Sequence, residues 1–96
     1  MILEARFKVV ISREEYEEST NPQKYAYMPG LRWKIYAFND EESMGTGIYL
    51  FDDEEAMKAH MENLRQMEKV VDYVSDLEMM VWDVQEVLCK ITRAPI

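Results

Sequence analysis

Ninety-six residues with 48% hydrophobic content suffice for one apolar core that buries roughly 60–70% of the unfolded chain's surface. A formal net charge of −8 opposes phosphate backbones, whose binding draws on clustered Lys and Arg, so no nucleic acid is expected as a partner. The one cysteine, Cys89, cannot form an internal disulfide, and no cysteine or histidine cluster points to a metal, so the expectation is a reduced thiol in the cytoplasm.

The first segment, "ILEARFKVVI" at 2–11, alternates Leu3, Ala5, Phe7, Val9 and Ile11 with Glu4, Arg6 and Lys8. That period of two predicts a strand with one covered face, and its charges are unlike the apolar run of a secretory signal. "SREEYEES" follows, with Ser12 as N-cap and Glu15 at capping-box spacing; a first helix is expected there, interrupted near Asn21 and Pro22 and ended before Pro29-Gly30. "LRWKIYAFN" at 31–39 and the stretch from 44 to 51 ending in "GTGIYLF" predict a strand hairpin around "DEES". Asp52 or Asp53 then caps a second helix, on which Ala56, Met57, His60, Met61, Leu64, Met67 and Val71 recur at spacings of three and four. "VDYVSD" reads as a loop, "LEMMVWDV" as a fourth strand, and "QEVLCKITRAPI" as a tail with a helical turn.

The order β-α-β-β-α-β, without linker, repeat or low-complexity tract, predicts an α+β, ferredoxin-like antiparallel sandwich, a single domain over residues 1–96. No run of 18 or more apolar residues occurs, so no membrane-spanning helix is expected. The acidic runs "REEYEE" and "DDEE" open helices, where the macrodipole favours carboxylates, and read as solvated faces.

Two helices on one side leave the other side of such a sheet bare. With Phe7 and Val9 toward the helices, Glu4, Arg6 and Lys8 point away, and Lys34, Tyr36 and Phe38, with Tyr49 and Phe51, are expected to share that bare side. A register slip of one residue would exchange the faces. Leu31, Trp33 and Ile35 are expected together on the side facing the helices, with Trp33 as a core anchor or an aromatic wall. A bare face mixing aromatics and charges fits burial against a second copy, so a homodimer through sheet packing is expected.

The stretch "PGLRWKIYAFNDEESMGTGIYLFDDEEAMKAHMENL" at 29–64, with "VWDVQEVL" near the end, resembles the YdhR-type mono-oxygenases of the dimeric α/β-barrel superfamily. The resemblance rests on "PG-x-x-WK", the hairpin, and "GIYLF-x-DE" running into a helix. It implies a ferredoxin-like protomer, a dimeric α/β barrel, a cavity for a small-molecule ligand, and oxidation of aromatic or enolisable substrates by O2 with no cofactor. This chain has "GTGIYLF" where the family tends to have adjacent glycines, and its first strand lacks the Asn of haem-degrading relatives, which disfavours haem.

Cofactor-independent oxygenation needs a proton acceptor, donors for an enolate oxygen and a dry pocket. His60 is the candidate base and Lys34 and Tyr36 the candidate donors. Arg6, Trp33, Phe38, Tyr49 and Phe51 are candidate substrate contacts. Tyr25, Tyr27 and Met28 stand before Pro29-Gly30, where a segment can cap a cavity mouth. A non-catalytic ligand-binding dimer shares all of these features. RNA binding through sheet aromatics is the third alternative, opposed by the charge and by the lack of an RNP-type signature.

Overall fold

A computed structural model describes residues 1–96. The elements run β1 (Ile2–Val9), α1 (Arg13–Ser19), α2 (Pro22–Ala26), β2 (Leu31–Asn39), β3 (Met44–Phe51), α3 (Glu54–Val70), β4 (Val74–Trp82) and α4 (Glu86–Ile91). The strands form one four-stranded sheet in the order β2-β3-β1-β4, antiparallel at every pairing. This order, with α1 to α3 joining the strands, is the ferredoxin-like arrangement expected from the sequence. No helix is long and apolar enough to cross a membrane.

Local chemistry sets the boundaries. Ser12 Oγ accepts from the Glu15 backbone N–H while the Glu15 carboxylate accepts from Ser12, completing the capping box. Pro22 begins α2 at a position where its missing N–H costs nothing. Asp53 caps α3. Gly30 has φ +81, and a Cβ there would stand 2.8 Å from that of Ala56, so the turn into β2 lies tight against α3.

The last strand begins earlier than the sequence pattern indicates: Val74, Ser75 and Asp76 belong to β4, not to a loop. A bulge accounts for the masked alternation. Register shifts between Arg6 and Lys8, Asp76 takes φ 55, and the Leu77 N–H is satisfied by the Glu68 carboxylate of α3 at 2.7 Å.

Register also fixes the faces. In β1–β3, Leu3 pairs Tyr49, Ala5 pairs Gly47 and Phe7 pairs Gly45; in β2–β3, Lys34 pairs Tyr49, Tyr36 pairs Gly47 and Phe38 pairs Gly45. Paired residues share a face. Lys34, Tyr36, Phe38, Tyr49 and Phe51 therefore lie with Leu3 and Phe7 on the helix side, which corrects the expectation that they line the bare face. The glycines are the physical reason: a Cβ on Gly45 would meet the Phe7 ring at 2.7 Å, and one on Gly47 the Tyr49 ring at 2.9 Å. Large rings fit on the helix side of the hairpin because β3 carries no side chain at positions 45 and 47.

A second bulge, between Leu31 and Trp33, separates residues expected to lie together. Leu31 pairs Phe51 on the helix side; Trp33 pairs Leu50 on the open side, where its indole N–H donates to the Pro95 carbonyl at 2.6 Å. Trp33 is thus not an anchor under the helices.

Most of the core lies between the sheet and the helices. Leu3, Ala5, Tyr49, Phe51, Met57 and Leu64 form one cluster, with Phe7, Val9 and Val74 forming another. Burying each large side chain contributes about 1.5–3 kcal/mol. The open face presents Ile35, Met80 and Trp82 half-exposed, beside the ion pairs Arg6–Glu4 at 3.7 Å and Arg6–Glu78 at 3.4 Å. Glu4 cannot pair with Lys34, because the two are on opposite faces of the sheet.

Candidate functional site

On the helix side, a cavity of about 220 Å³ opens between the β2–β3 hairpin, the α1–α2 connection and α3. Five tyrosines line it: Tyr16 from α1, Tyr25 from α2, Tyr36 from β2, Tyr49 from β3, and Tyr73 just ahead of β4. Its cations are Lys24 and Lys34, and no Asp or Glu lines it. An open groove of about 480 Å³ adjoins it along β2, sharing Tyr16, Thr20 and Tyr36 and adding Phe38 and Arg13.

The central group is the Lys34 ammonium. It sits 3.7 Å from the ring centroid of Tyr25, 3.8 Å from that of Tyr36 and 4.8 Å from that of Tyr49, and it joins no ion pair. Burial, and then the neighbouring positive charge of Lys24, lower its pKa to about 7. The ring faces attract the charged form and partly offset that loss. Near neutral pH the amine is divided between a proton acceptor and a cation.

The tyrosines around it stay protonated. Burial, then Tyr25, raises Tyr36 to about 12; the same two causes, in that order, push Tyr49 far above the ordinary phenol value; burial also raises Tyr25 and Tyr16. They can donate to an oxyanion but not accept a proton.

His60 is only 3% exposed, and neither ring nitrogen has a hydrogen-bond partner. Its ring meets Tyr49 edge-on at 4.9 Å and Tyr25 at 5.4 Å between centroids. Burial first, then Lys34 and Lys24, lower its pKa to about 4, leaving it neutral at pH 7. It stands one ring behind the cavity wall, not on it. Phe51, 1% exposed and stacked on Tyr49, lies behind the wall as well.

Of the candidate residues, Lys34, Tyr36 and Tyr49 therefore meet at the cavity and Phe38 in the adjoining groove. Arg6 and Trp33 are on the opposite face of the sheet, away from this cavity. Tyr25, read as part of a cap, contributes a wall, whereas Tyr27 is 83% exposed and Met28 packs on the core. Tyr16, Lys24 and Tyr73 escaped the sequence reading. Tyr16 carried a usable signal: it is the one apolar ring in "REEYEES", which marks the buried side of α1, and it packs on Phe7 and Phe38 with centroids 5.8 Å away. No group of three or more His, Cys, Asp or Glu stands close enough to hold a metal ion.

Residues 2–95 match the family model described as "Putative mono-oxygenase ydhR". The chain belongs to the ydhR family. The match spans the whole sheet and every cavity-lining residue, so the ydhR resemblance of the hairpin extends to both ends of the chain. No curated protein matches the chain at a significant level.

Proposed function

We propose that this chain is a small mono-oxygenase that oxidises an aromatic or enolisable molecule bound between sheet and helices, with residues 1–96 working as one domain and pairing with a second copy through the open sheet face. The observation that carries the reading is the unpaired Lys34 amine, held among three tyrosine rings on a cavity wall. Family membership supports the reaction class; fold alone would not.

In this reading the neutral Lys34 amine takes a proton from the bound carbon acid or enol. The resulting ammonium then stands beside the enolate oxygen, with the Tyr36 phenol as a further donor. The electron-rich enolate reacts with O2. For a substrate methylene becoming a carbonyl, both C–H bonds are lost, one oxygen atom enters the product and the other leaves as water. The tyrosine walls keep bulk water out. His60 backs Tyr25 and Tyr49 and fixes where their rings stand.

The open face supports the pairing: it exposes Ile35 at one edge of the sheet and Met80 and Trp82 at the other, with the Glu4–Arg6–Glu78 ion pairs beside the latter. The test is O2 uptake by the purified protein over a panel of enolisable aromatic compounds of one to three rings, with ¹⁸O2 to locate the oxygen. Uptake above background with one labelled atom in the product is expected. A compound that binds but is returned unchanged would leave a ligand carrier instead.

A further inference from the structure

The chain has 19 acidic against 11 basic side chains and a net charge of −8, yet the cavity wall inverts that balance, with two lysines and no carboxylate. Neither Lys24 nor Lys34 forms an ion pair. Sequestering the unpaired Lys34 cation is costly, and the neighbouring positive charge of Lys24 adds to that cost. A dedicated anion would cancel both costs. Around it the wall offers aromatic rings and phenol donors, which recognise a flat body and an oxyanion but repel nothing negative. The volume of about 220 Å³ falls below the common pocket range of roughly 300–1,000 Å³, which limits the enclosed part to one or two rings.

We propose that the cavity selects an anionic aromatic ligand, an aryl carboxylate or an equivalent oxyanion, with Lys34 and Lys24 as its charge-recognising pair. This deepens the reading of the cavity as the ligand site and rests on it. The specificity lies in charge: a neutral isostere leaves both ammonium groups unanswered. The anion would also favour the protonated form of Lys34, the state in which the proposed reaction leaves it beside the enolate oxygen, so binding above neutral pH draws in a proton.

The groups facing Lys34 are Tyr25 and Lys24 from α2, Tyr36 beside it on β2, Tyr49 from β3, and His60 behind the last from α3. The tyrosines keep their protons below about pH 10 and His60 is neutral above about pH 6, given the raised phenols and the lowered imidazole. Of these groups, Lys34 is the one whose lowered value, about 7, falls between those limits.

The test is calorimetric titration of the full chain with 2-naphthoate and with its neutral isostere 2-naphthamide, near pH 6.5 and pH 8.5. 2-Naphthoate is expected to bind at least tenfold more tightly than the amide near pH 6.5, with the ratio shrinking at pH 8.5 as Lys34 loses its proton. Lys34→Met and the exposed-site variant Lys24→Met should each reduce the ratio severalfold. Equal affinity for the two probes in the wild-type chain would overturn the anion selectivity while leaving the cavity as a ligand site. Binding of neither at millimolar concentration would overturn both.

Discussion

Lys34 and Tyr49 face each other across the β2–β3 ladder, and this register sets the ammonium 4.8 Å from the phenol ring on the helix side of the sheet. The pairing makes the charge part of the fold's energetics as well as of its chemistry.

Stability should rise with pH across the range that Lys34 spans. Its pKa is about 7 folded against an ordinary 10.5, so between these values the unfolded chain holds the extra proton and ΔG of unfolding increases with pH. The stability is fully present above the unfolded value and lost as pH falls toward 7. Thermal melts between pH 7 and 9.5 should show the rise. Lys34→Met should flatten it and gain about 1 kcal/mol at pH 7 by removing a sequestered charge. An unchanged slope in the variant would mean that Lys34 is solvated.

His60 governs the acid side. Its folded value of about 4 lies below the ordinary 6.5, so its contribution is present above 6.5 and lost as pH falls through 4. His60→Leu removes two unpartnered buried nitrogens and should stabilise the chain by about 1–2 kcal/mol at pH 5. Urea titrations at pH 7 and 5 would check this, and destabilisation at both pH values would point to a partner for the imidazole.

The element order, both helix caps and the broken first helix were legible because each has a local signal: alternation, Ser12 with Glu15, Asp53, and Asn21-Pro22. The faces of β2 and β3 were not. Alternation says which residues share a face but not which face, and "LRWKIYAFN" is apolar on both. Only pairing with β1 decides it, through Gly45 beneath Phe7. The bulge beyond Leu31 then leaves Leu31 on the helix side, while Trp33 stays with Ile35 on the open side. The cavity was half legible: Lys34, Tyr36 and Tyr49 come from the hairpin, while Tyr16, Lys24 and Tyr73 arrive from segments whose docking no local pattern encodes.

The glycines of β3 give a steric prediction. A Cβ at position 47 would stand 2.9 Å from Tyr49 Cε1 and from its Oη, so Gly47→Ala should displace the ring, cost about 1–3 kcal/mol and weaken ligand binding. Ile48, on the opposite face of the same strand and outside the cavity lining, serves as the control; Ile48→Val should leave ligand binding unchanged. Ligand titration and denaturation of both variants would show whether the inner face alone responds.

The open sheet face should set the oligomeric state. Sedimentation at micromolar concentration is expected to give twice the chain mass, and Ile35→Glu with Met80→Glu should return a single chain with its fold intact by circular dichroism. A wild-type monomer would remove the proposed pairing.

The most direct measurement of the central claim is O2 uptake with ¹⁸O2 labelling, comparing wild type with Lys34→Met on an enolisable aromatic compound that both bind. A cavity that performs the oxygenation through Lys34 gives one labelled oxygen atom per product molecule and loses at least tenfold in rate in the variant. Equal rates in the two proteins, or a bound compound recovered without label, would contradict it.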